Sequence, residues 1–220
     1  MKKTFFLLFF LPTLLLAQTF EKTNQGIQFA SQGMNVRVEF YTPALARVYK
    51  TPMGEDYNSQ SLVINQTKQE VKVNITTENG FVNLSTEKLN IKINTETGSI
   101  RFLKSNGENM LFNSDYGTNF STVLAGGKPT YKVRSQFLLE KDEGIYGLGQ
   151  ILDNKLNRRD SKHHLQNENM HTTSPYFMSI KGYGVYMDNY SISDFEDNKQ
   201  GLSFECLGKV VDYYFMYGEN

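Results

Sequence analysis

Residues 71–104 read VKVNITTENGFVNLSTEKLNIKINTETGSIRFLK, and this stretch decides the fold class. Apolar and polar residues alternate within its short segments, which is the pattern of half-buried β-strands. Asn79-Gly80 separates two of these segments, and Asn-Gly is a strong signal for a two-residue hairpin turn. The residues ETGS at 96–99 form a further turn before the segment IRFLK. The stretch therefore predicts consecutive antiparallel strands joined by tight turns.

The same alternation continues on both sides of this stretch. Strand patterns occur in MNVRVEFY (34–41), LARVYK (45–50), FLLE (137–140), YGVYMDN (183–189), LSFECLG (202–208) and KVVDYYFMYG (209–218). TPMG at 51–54 is interpreted as an interruption of the strand pattern, and AGGKPT at 125–130 as a loop. No stretch of convincing length has a helical period. The prediction is an all-β protein, a β-sandwich.

The composition is that of a folded globular protein, with 39% hydrophobic and 13% aromatic residues. The 23 basic and 23 acidic residues give no net charge, which argues against nucleic acid as a partner. Cys206 is the single cysteine, so no internal disulfide is possible, and we interpret it as a small buried apolar residue. The many Tyr and Phe residues of the last third are interpreted mainly as core.

The N-terminus has the pattern of a signal peptide. Lys2 and Lys3 precede an apolar run that ends near Ala17, and the run is too short for an ordinary transmembrane helix of about 20 residues. We predict a signal peptide at 1–17 and one mature domain at 18–220, periplasmic or secreted and free of the membrane after cleavage. An uncleaved anchor is the alternative.

GIYGLGQ, at 144–150, contains three glycines that resemble a phosphate-binding loop. Their order is not that of a dinucleotide fingerprint, and neither a helical pattern nor a Lys-Ser/Thr pair follows. We interpret Gly144, Gly147 and Gly149 as positions of tight backbone packing or positive φ.

The polar stretch 150–174 is predicted to be a long irregular loop, and such loops are often functional. It contains His163, His164 and His171. Asp153, Asp160 and Glu168 lie near them in the sequence, but the spacing matches no known metal site, so we predict no metal. The scattered carboxylates of the chain cannot be paired into a glycosidase site from the sequence.

From residue 144 onward, a set of motifs occurs in a fixed order: GIYGLGQ, LNRR, LQNEN, SPYFMSIKGYGVYMDNYS and VVDYYFMYG. Together they resemble the N-terminal domain of glycoside hydrolase family 31, which includes α-glucosidases and α-xylosidases. The resemblance is strong over about 140–218, and residues 20–135 fit the first part of the same domain. The α-xylosidase-like members are the most similar subgroup.

The resemblance implies a β-sandwich of the galactose-mutarotase-like type that packs on a (β/α)8 barrel. In the family, the barrel carries both aspartates of a retaining double displacement, and a loop of the N-terminal domain helps to shape the sugar pocket. The matching loop is LQNENMHTTSPYF, at 165–177. Asn169, Glu168 and Gln166 are therefore the candidates for sugar contact, since amides and carboxylates bond vicinal hydroxyls. No cofactor is implied.

A (β/α)8 barrel takes about 250 residues and does not fit in this chain beside the sandwich. We expect the chain to be a fragment or a truncated product that has no catalytic residue and is inactive alone. Its expected partners are a carbohydrate substrate and the barrel of the parent enzyme. A stand-alone carbohydrate-binding module is the first alternative. A mutarotase-like enzyme, in which a histidine and a carboxylate converge in a cleft, is the second.

Overall fold

A computed structural model describes residues 20–55, 61–65 and 68–218. The predicted signal peptide at 1–17 lies outside the described residues. Within them the chain forms seventeen β-strands and no helix. The strands are β1 (Glu21–Thr23), β2 (Gly26–Ser31), β3 (Met34–Thr42), β4 (Leu45–Pro52), β5 (Asn74–Glu78), β6 (Phe81–Ser85), β7 (Leu89–Asn94), β8 (Ile100–Lys104), β9 (Asn109–Ala125), β10 (Lys128–Leu138), β11 (Ile145–Gln150), β12 (Ser161–Leu165), β13 (Thr172–Ser179), β14 (Tyr183–Met187), β15 (Ser193–Asn198), β16 (Gly201–Gly208) and β17 (Val211–Tyr217).

The strands form two antiparallel sheets packed as a sandwich, which confirms the predicted fold class. Sheet one has the order β1-β2-β3-β4-β17-β14-β13-β11, and sheet two has the order β12-β15-β16-β10-β9-β8-β7-β6-β5. No helix of the described residues has the length and hydropathy of a membrane span.

The stretch 71–104 folds as its sequence predicts, into the consecutive neighbours β5, β6, β7 and β8 of sheet two. Asn79 and Gly80 have φ values of 50° and 79°, as the two central residues of a type I′ hairpin require. One boundary differs from the prediction, because β5 begins at Asn74. Val71 precedes the strand and packs into the core instead, with 7% of its surface exposed.

The prediction of a loop at 125–130 is wrong. Only Gly126 and Gly127, with φ values of 57° and 75°, lie between the long strands β9 and β10. The outer ends of these strands pair only with each other, so they carry many polar residues and lack the alternation of a half-buried strand.

Aromatic rings from both sheets meet in the interior, as predicted for most of the C-terminal aromatics. Phe102 stacks on Phe215 with ring centroids 4.1 Å apart. Phe137 meets Tyr213 at 5.3 Å and Phe177 at 6.5 Å, in both cases edge to face. These five side chains are fully buried.

A lysine side chain also crosses the interior. Lys50 of β4 is 1% exposed, and its Nζ donates hydrogen bonds to Asn113 Oδ1 at 2.7 Å and Thr118 Oγ1 at 2.9 Å, both on β9. Lys50 thereby links sheet one to sheet two through neutral acceptors.

The chain crosses between the two sheets twice at one side of the sandwich. Residues 151–160 lead from β11, the edge strand of sheet one, to β12, the edge strand of sheet two. Residues 166–171 then return to sheet one, where β13 begins. The loop that the sequence singled out therefore lies where two sheet edges meet.

Candidate functional site

Strand β11 contains Gly147 and Gly149 of the glycine-rich stretch, and the backbone requires glycine at both positions. The register between β11 and β13 shifts between Gly147 and Gly149, which marks a β-bulge. Gly147 has a φ of 126° and Gly149 a φ of 83°. A Cβ atom would lie 2.5 Å from the Tyr176 carbonyl oxygen at Gly147 and 2.1 Å from that of Thr172 at Gly149. The prediction of backbone fitting is confirmed for both.

The prediction of one irregular loop over 150–174 is wrong. Residues 161–165 form β12, which pairs with β15, and β13 begins at Thr172. Irregular structure is confined to 151–160 and 166–171. Strand β12 has the sequence SKHHL and lies at a sheet edge, so polar side chains are tolerated on it and the apolar alternation that marks a buried strand is missing.

Residues 166–171 form a closed turn. The backbone amide of Glu168 donates to the His171 carbonyl at 3.0 Å, and the amide of His171 donates to the Glu168 carbonyl at 3.3 Å. Asn167 closes the base of the turn, since its Oδ1 accepts hydrogen bonds from the Thr173 amide at 2.7 Å and from its hydroxyl at 3.2 Å. The sequence interpretation did not single out Asn167, although Asn is a common residue for such bonds to nearby backbone.

The structure places two of the three candidates together. Glu168 and Asn169 are exposed at the tip of the turn and line an open depression together with Leu152, Met170 and His171. Gln166 is half-buried at the start of the turn, beside the ring of His164, and does not line the depression. The tip therefore presents a carboxylate and an amide beside exposed apolar side chains of Leu152 and Met170.

The three histidines do not converge. His163 and His164 are neighbours on β12 and point to opposite faces of the strand, and His171 lies in the turn. His164 is exposed, with Nδ1 at 2.8 Å from Asp194 Oδ1, and this hydrogen bond raises its pKa. His163 is partly buried beside Asp153, and burial lowers its pKa. Among the described residues, no group of three or more His, Cys, Asp or Glu side chains could hold a metal.

Two arginines of the LNRR motif hold the first crossing in place. Arg158 is 5% exposed; its amide donates to the Ile145 carbonyl at 2.8 Å, and its Nη1 donates to Asp153 Oδ2 at 2.6 Å. Arg159 Nε donates to Asp197 Oδ2 on β15 at 2.8 Å. The sequence marked these residues only as part of a motif, because Asp197 is distant in the chain.

A model of the glycosyl hydrolase 31 N-terminal galactose mutarotase-like domain matches residues 35–196. The chain belongs to glycoside hydrolase family 31. The family resemblance and the galactose-mutarotase-like type of sandwich, both predicted from the sequence, are confirmed.

Two relatives of this family 31 domain are α-xylosidases. One, from Saccharolobus solfataricus, is 35% identical over 102 residues, which cover 41% of this chain and 14% of the relative. The other, XylQ from Lactiplantibacillus pentosus, is 28% identical over 95 residues, which cover 39% of this chain and 12% of the relative. These matches thus cover only a small part of the length of each relative.

Solved structures of family 31 enzymes share the fold. An α-xylosidase from a soil metagenome, complexed with xylose, has a TM-score of 0.81 at 20% identity, covering 92% of this chain and 33% of that one. An α-xylosidase from Xanthomonas citri has a TM-score of 0.75 at 27% identity, covering 81% of this chain and 20% of that one. A dextranase from Flavobacterium johnsoniae has a TM-score of 0.76 at 20% identity, covering 92% and 26%.

Proposed function

We propose that this chain is the N-terminal accessory domain of an exported α-glycosidase of the α-xylosidase or α-glucosidase type. In the complete enzyme, a catalytic (β/α)8 barrel hydrolyses terminal α-linked sugars by retaining double displacement. The sandwich packs on that barrel and shapes the sugar pocket, and it does not catalyse the reaction alone.

Beyond the family match, the observation that supports the proposal is the turn at 166–171. Its tip holds Glu168 and Asn169 in the open, next to Leu152 and Met170, at the side of the sandwich where the sheet edges meet. A carboxylate and an amide can each bond two neighbouring hydroxyls of a sugar. The apolar side chains beside them suit a covering surface that excludes water.

Two measurements test this proposal. The purified 220-residue chain, assayed on aryl α-xyloside and aryl α-glucoside, should show no enzymatic turnover, and turnover by pure protein would refute the accessory role. Reading the DNA downstream of codon 220 should reveal an in-frame barrel with paired aspartates.

The contact residues are tested in the barrel-containing enzyme. Glu168→Gln and Asn169→Ala should raise KM for aryl α-xyloside, because each removes one partner of a sugar hydroxyl. Lys162→Gln, an exposed change on the neighbouring strand β12, is the matched control. Unchanged KM in both turn variants would exclude sugar contact at this turn.

Export is part of the proposal and has its own test. N-terminal sequencing of protein recovered from the periplasm or the medium should give a mature chain that starts at Gln18. An intact Met1 on exported protein would favour an uncleaved anchor.

A stand-alone carbohydrate-binding module is the second candidate, favoured by the open depression at the turn. Isothermal titration of the 220-residue chain with xylo- and gluco-oligosaccharides separates the two functions. The module would bind at millimolar sugar or below, whereas an accessory domain without its barrel should give no heat.

A further inference from the structure

The turn at 166–171 has its two ends on different sheets. Leu165, before the turn, pairs with Ser193 of sheet two, whereas Thr172, after it, pairs with Gln150 of sheet one. The geometry of the turn therefore depends on how the two sheet edges are held relative to one another. Any group that joins these edges also sets the position of the tip.

Arg159 links sheet two to the segment that precedes β11 of sheet one. Its Nε donates to Asp197 Oδ2 of sheet two at 2.8 Å. Its Nη1 donates to the carbonyl oxygens of Glu140 at 2.8 Å and Glu143 at 2.5 Å, in the segment that leads from β10 into β11 of sheet one. A single guanidinium thus holds one acceptor on sheet two and two in the segment before β11, which the fixed fork of an arginine permits and a lysine ammonium does not reproduce.

Both ends of this link are themselves fixed. Asp197 is 3% exposed, and its Oδ2 also accepts the Asp160 amide at 2.8 Å. The carboxylate of Glu143, likewise 3% exposed, accepts the hydroxyls of Ser179 and Tyr183, each at 2.5 Å, and so ties the segment to β13 and β14. Movement of Arg159 relative to either sheet is therefore restrained.

We propose that Arg159 is a positioning residue that presets the turn at 166–171 for its sugar. It acts through Asp197, by fixing the edge of sheet two against the entry to β11, and does not touch the sugar. The role of the turn in binding sugar rests on the proposed function. The effect of Arg159 on the turn can be measured on this chain alone.

The mechanical part is tested by amide hydrogen exchange in the 220-residue chain, followed by NMR. Arg159→Gln should speed exchange at the Glu168 and His171 amides, which bond across the turn, at least tenfold. Exchange at Phe215, in the middle of sheet one, measures the loss of overall stability in the same variant. Arg159→Lys should show an intermediate effect, and Lys162→Gln, on the exposed face of β12, none.

A second variant separates positioning from general stability. Arg159→Gln leaves the buried Asp197 carboxylate without its cation, which costs stability. Adding Asp197→Asn removes that charge and should restore Phe215 exchange and the melting temperature, while the turn amides stay fast because the link is still missing. Unchanged turn exchange in Arg159→Gln, or turn and core amides that recover together in the double variant, would overturn the proposal.

The functional part is read in the barrel-containing enzyme. Arg159→Lys should raise KM for aryl α-xyloside and leave kcat within twofold, since the reacting groups lie elsewhere. If Glu168→Gln and Asn169→Ala change nothing while the exchange result holds, the sugar-contact function fails but the role of Arg159 in placing the turn stands. If those two variants raise KM and Arg159→Lys does not, the positioning role fails alone.

Discussion

Lys50 is a lysine whose charged form is opposed by the fold. It is fully buried, its two hydrogen-bond acceptors are neutral, and burial lowers its pKa to about 7. An unfolded lysine has a pKa of about 10.4, so the unfolded chain binds more protons than the folded chain between these two values. The contribution of Lys50 to the free energy of unfolding therefore rises with pH from about 7 to about 10 and is flat below 7.

Lys50→Met tests this linkage. The slope of the free energy of unfolding against pH between 7.5 and 9.5 should fall by up to about 1.4 kcal/mol per pH unit in the variant, the value for one proton. Urea unfolding at several pH values measures it. Lys162→Met, which removes an exposed lysine, should keep the wild-type slope, and equal slopes in all three proteins would contradict the buried neutral state.

The two neighbouring histidines should titrate on opposite sides of the ordinary value of 6.5. The Asp194 hydrogen bond raises the pKa of His164, and burial, with Arg158 nearby, lowers that of His163. The His164 pair therefore stabilises the fold at acid pH and is lost as pH rises through its folded pKa. The pH dependence from His163 has the opposite sign, because its contribution to the free energy of unfolding falls as pH drops below 6.5.

NMR titration of the imidazole signals checks both directions. Asp194→Asn should lower the pKa of His164 and leave His163 unchanged, because Asp153 and Arg158 surround the latter. A common pKa for both rings in the wild-type chain would contradict the geometry.

At the scale of the element, the bulge in β11 depends on glycine. Gly149→Ala places a side chain in left-handed backbone and against the Thr172 carbonyl. Positive φ alone costs about 1–3 kcal/mol, so the loss in free energy of unfolding should reach at least that range. Gly208→Ala, where no atom lies within 4 Å of the new Cβ, should change stability by less than about 0.5 kcal/mol. Chemical denaturation of both variants measures the difference.

Several strands that the sequence predicted have one buried face, and two that it missed have little buried face. β3, β6 and β7 have one face in the core and one in solvent, so their residues alternate. The outer half of β9 and the edge strand β12 have little buried face and therefore show no alternation. Alternation of apolar and polar residues therefore identifies a strand only where one face of the strand is buried and the other is exposed.

As with the strands, only part of the candidate site could be predicted from the sequence. The resemblance located the turn and its tip residues, Glu168 and Asn169. It could not supply the link from Arg159 to Asp197 or the position of Glu143 under Ser179, because these contacts join residues about 36 to 38 positions apart. Such contacts follow from the packing of the two sheets, which no local spacing encodes.

At the scale of the whole molecule, one interior serves both sheets, so the sandwich should unfold as a unit. Phe137→Ala removes a fully buried ring that contacts Phe177 and Tyr213 of the opposite sheet. The expected loss is about 3–5 kcal/mol. Within each protein, wild type or variant, far-ultraviolet and near-ultraviolet circular dichroism should give the same transition midpoint as one another. The midpoint of the variant should be lower than that of the wild type.

Leu124→Ala, at a side chain that is 74% exposed on the β9–β10 ribbon, is the control and should leave the midpoint almost unchanged. Separate transitions by the two spectroscopic probes would show that the sheets unfold independently.

The connection at 151–160 has a consequence for self-association. Three outward backbone groups in the first half of β11 are already occupied: Asn157 Oδ1 accepts the Ile145 amide at 3.3 Å, and Arg158 donates its amide to the Ile145 carbonyl and its Nε to that of Gly147. An open strand edge is a template on which a second chain can add and aggregate. Here the LNRR motif closes the first half of that edge and the bulge distorts the rest, so we expect strand-by-strand polymerisation to be disfavoured at the side of the domain that exposes Leu152 and Met170.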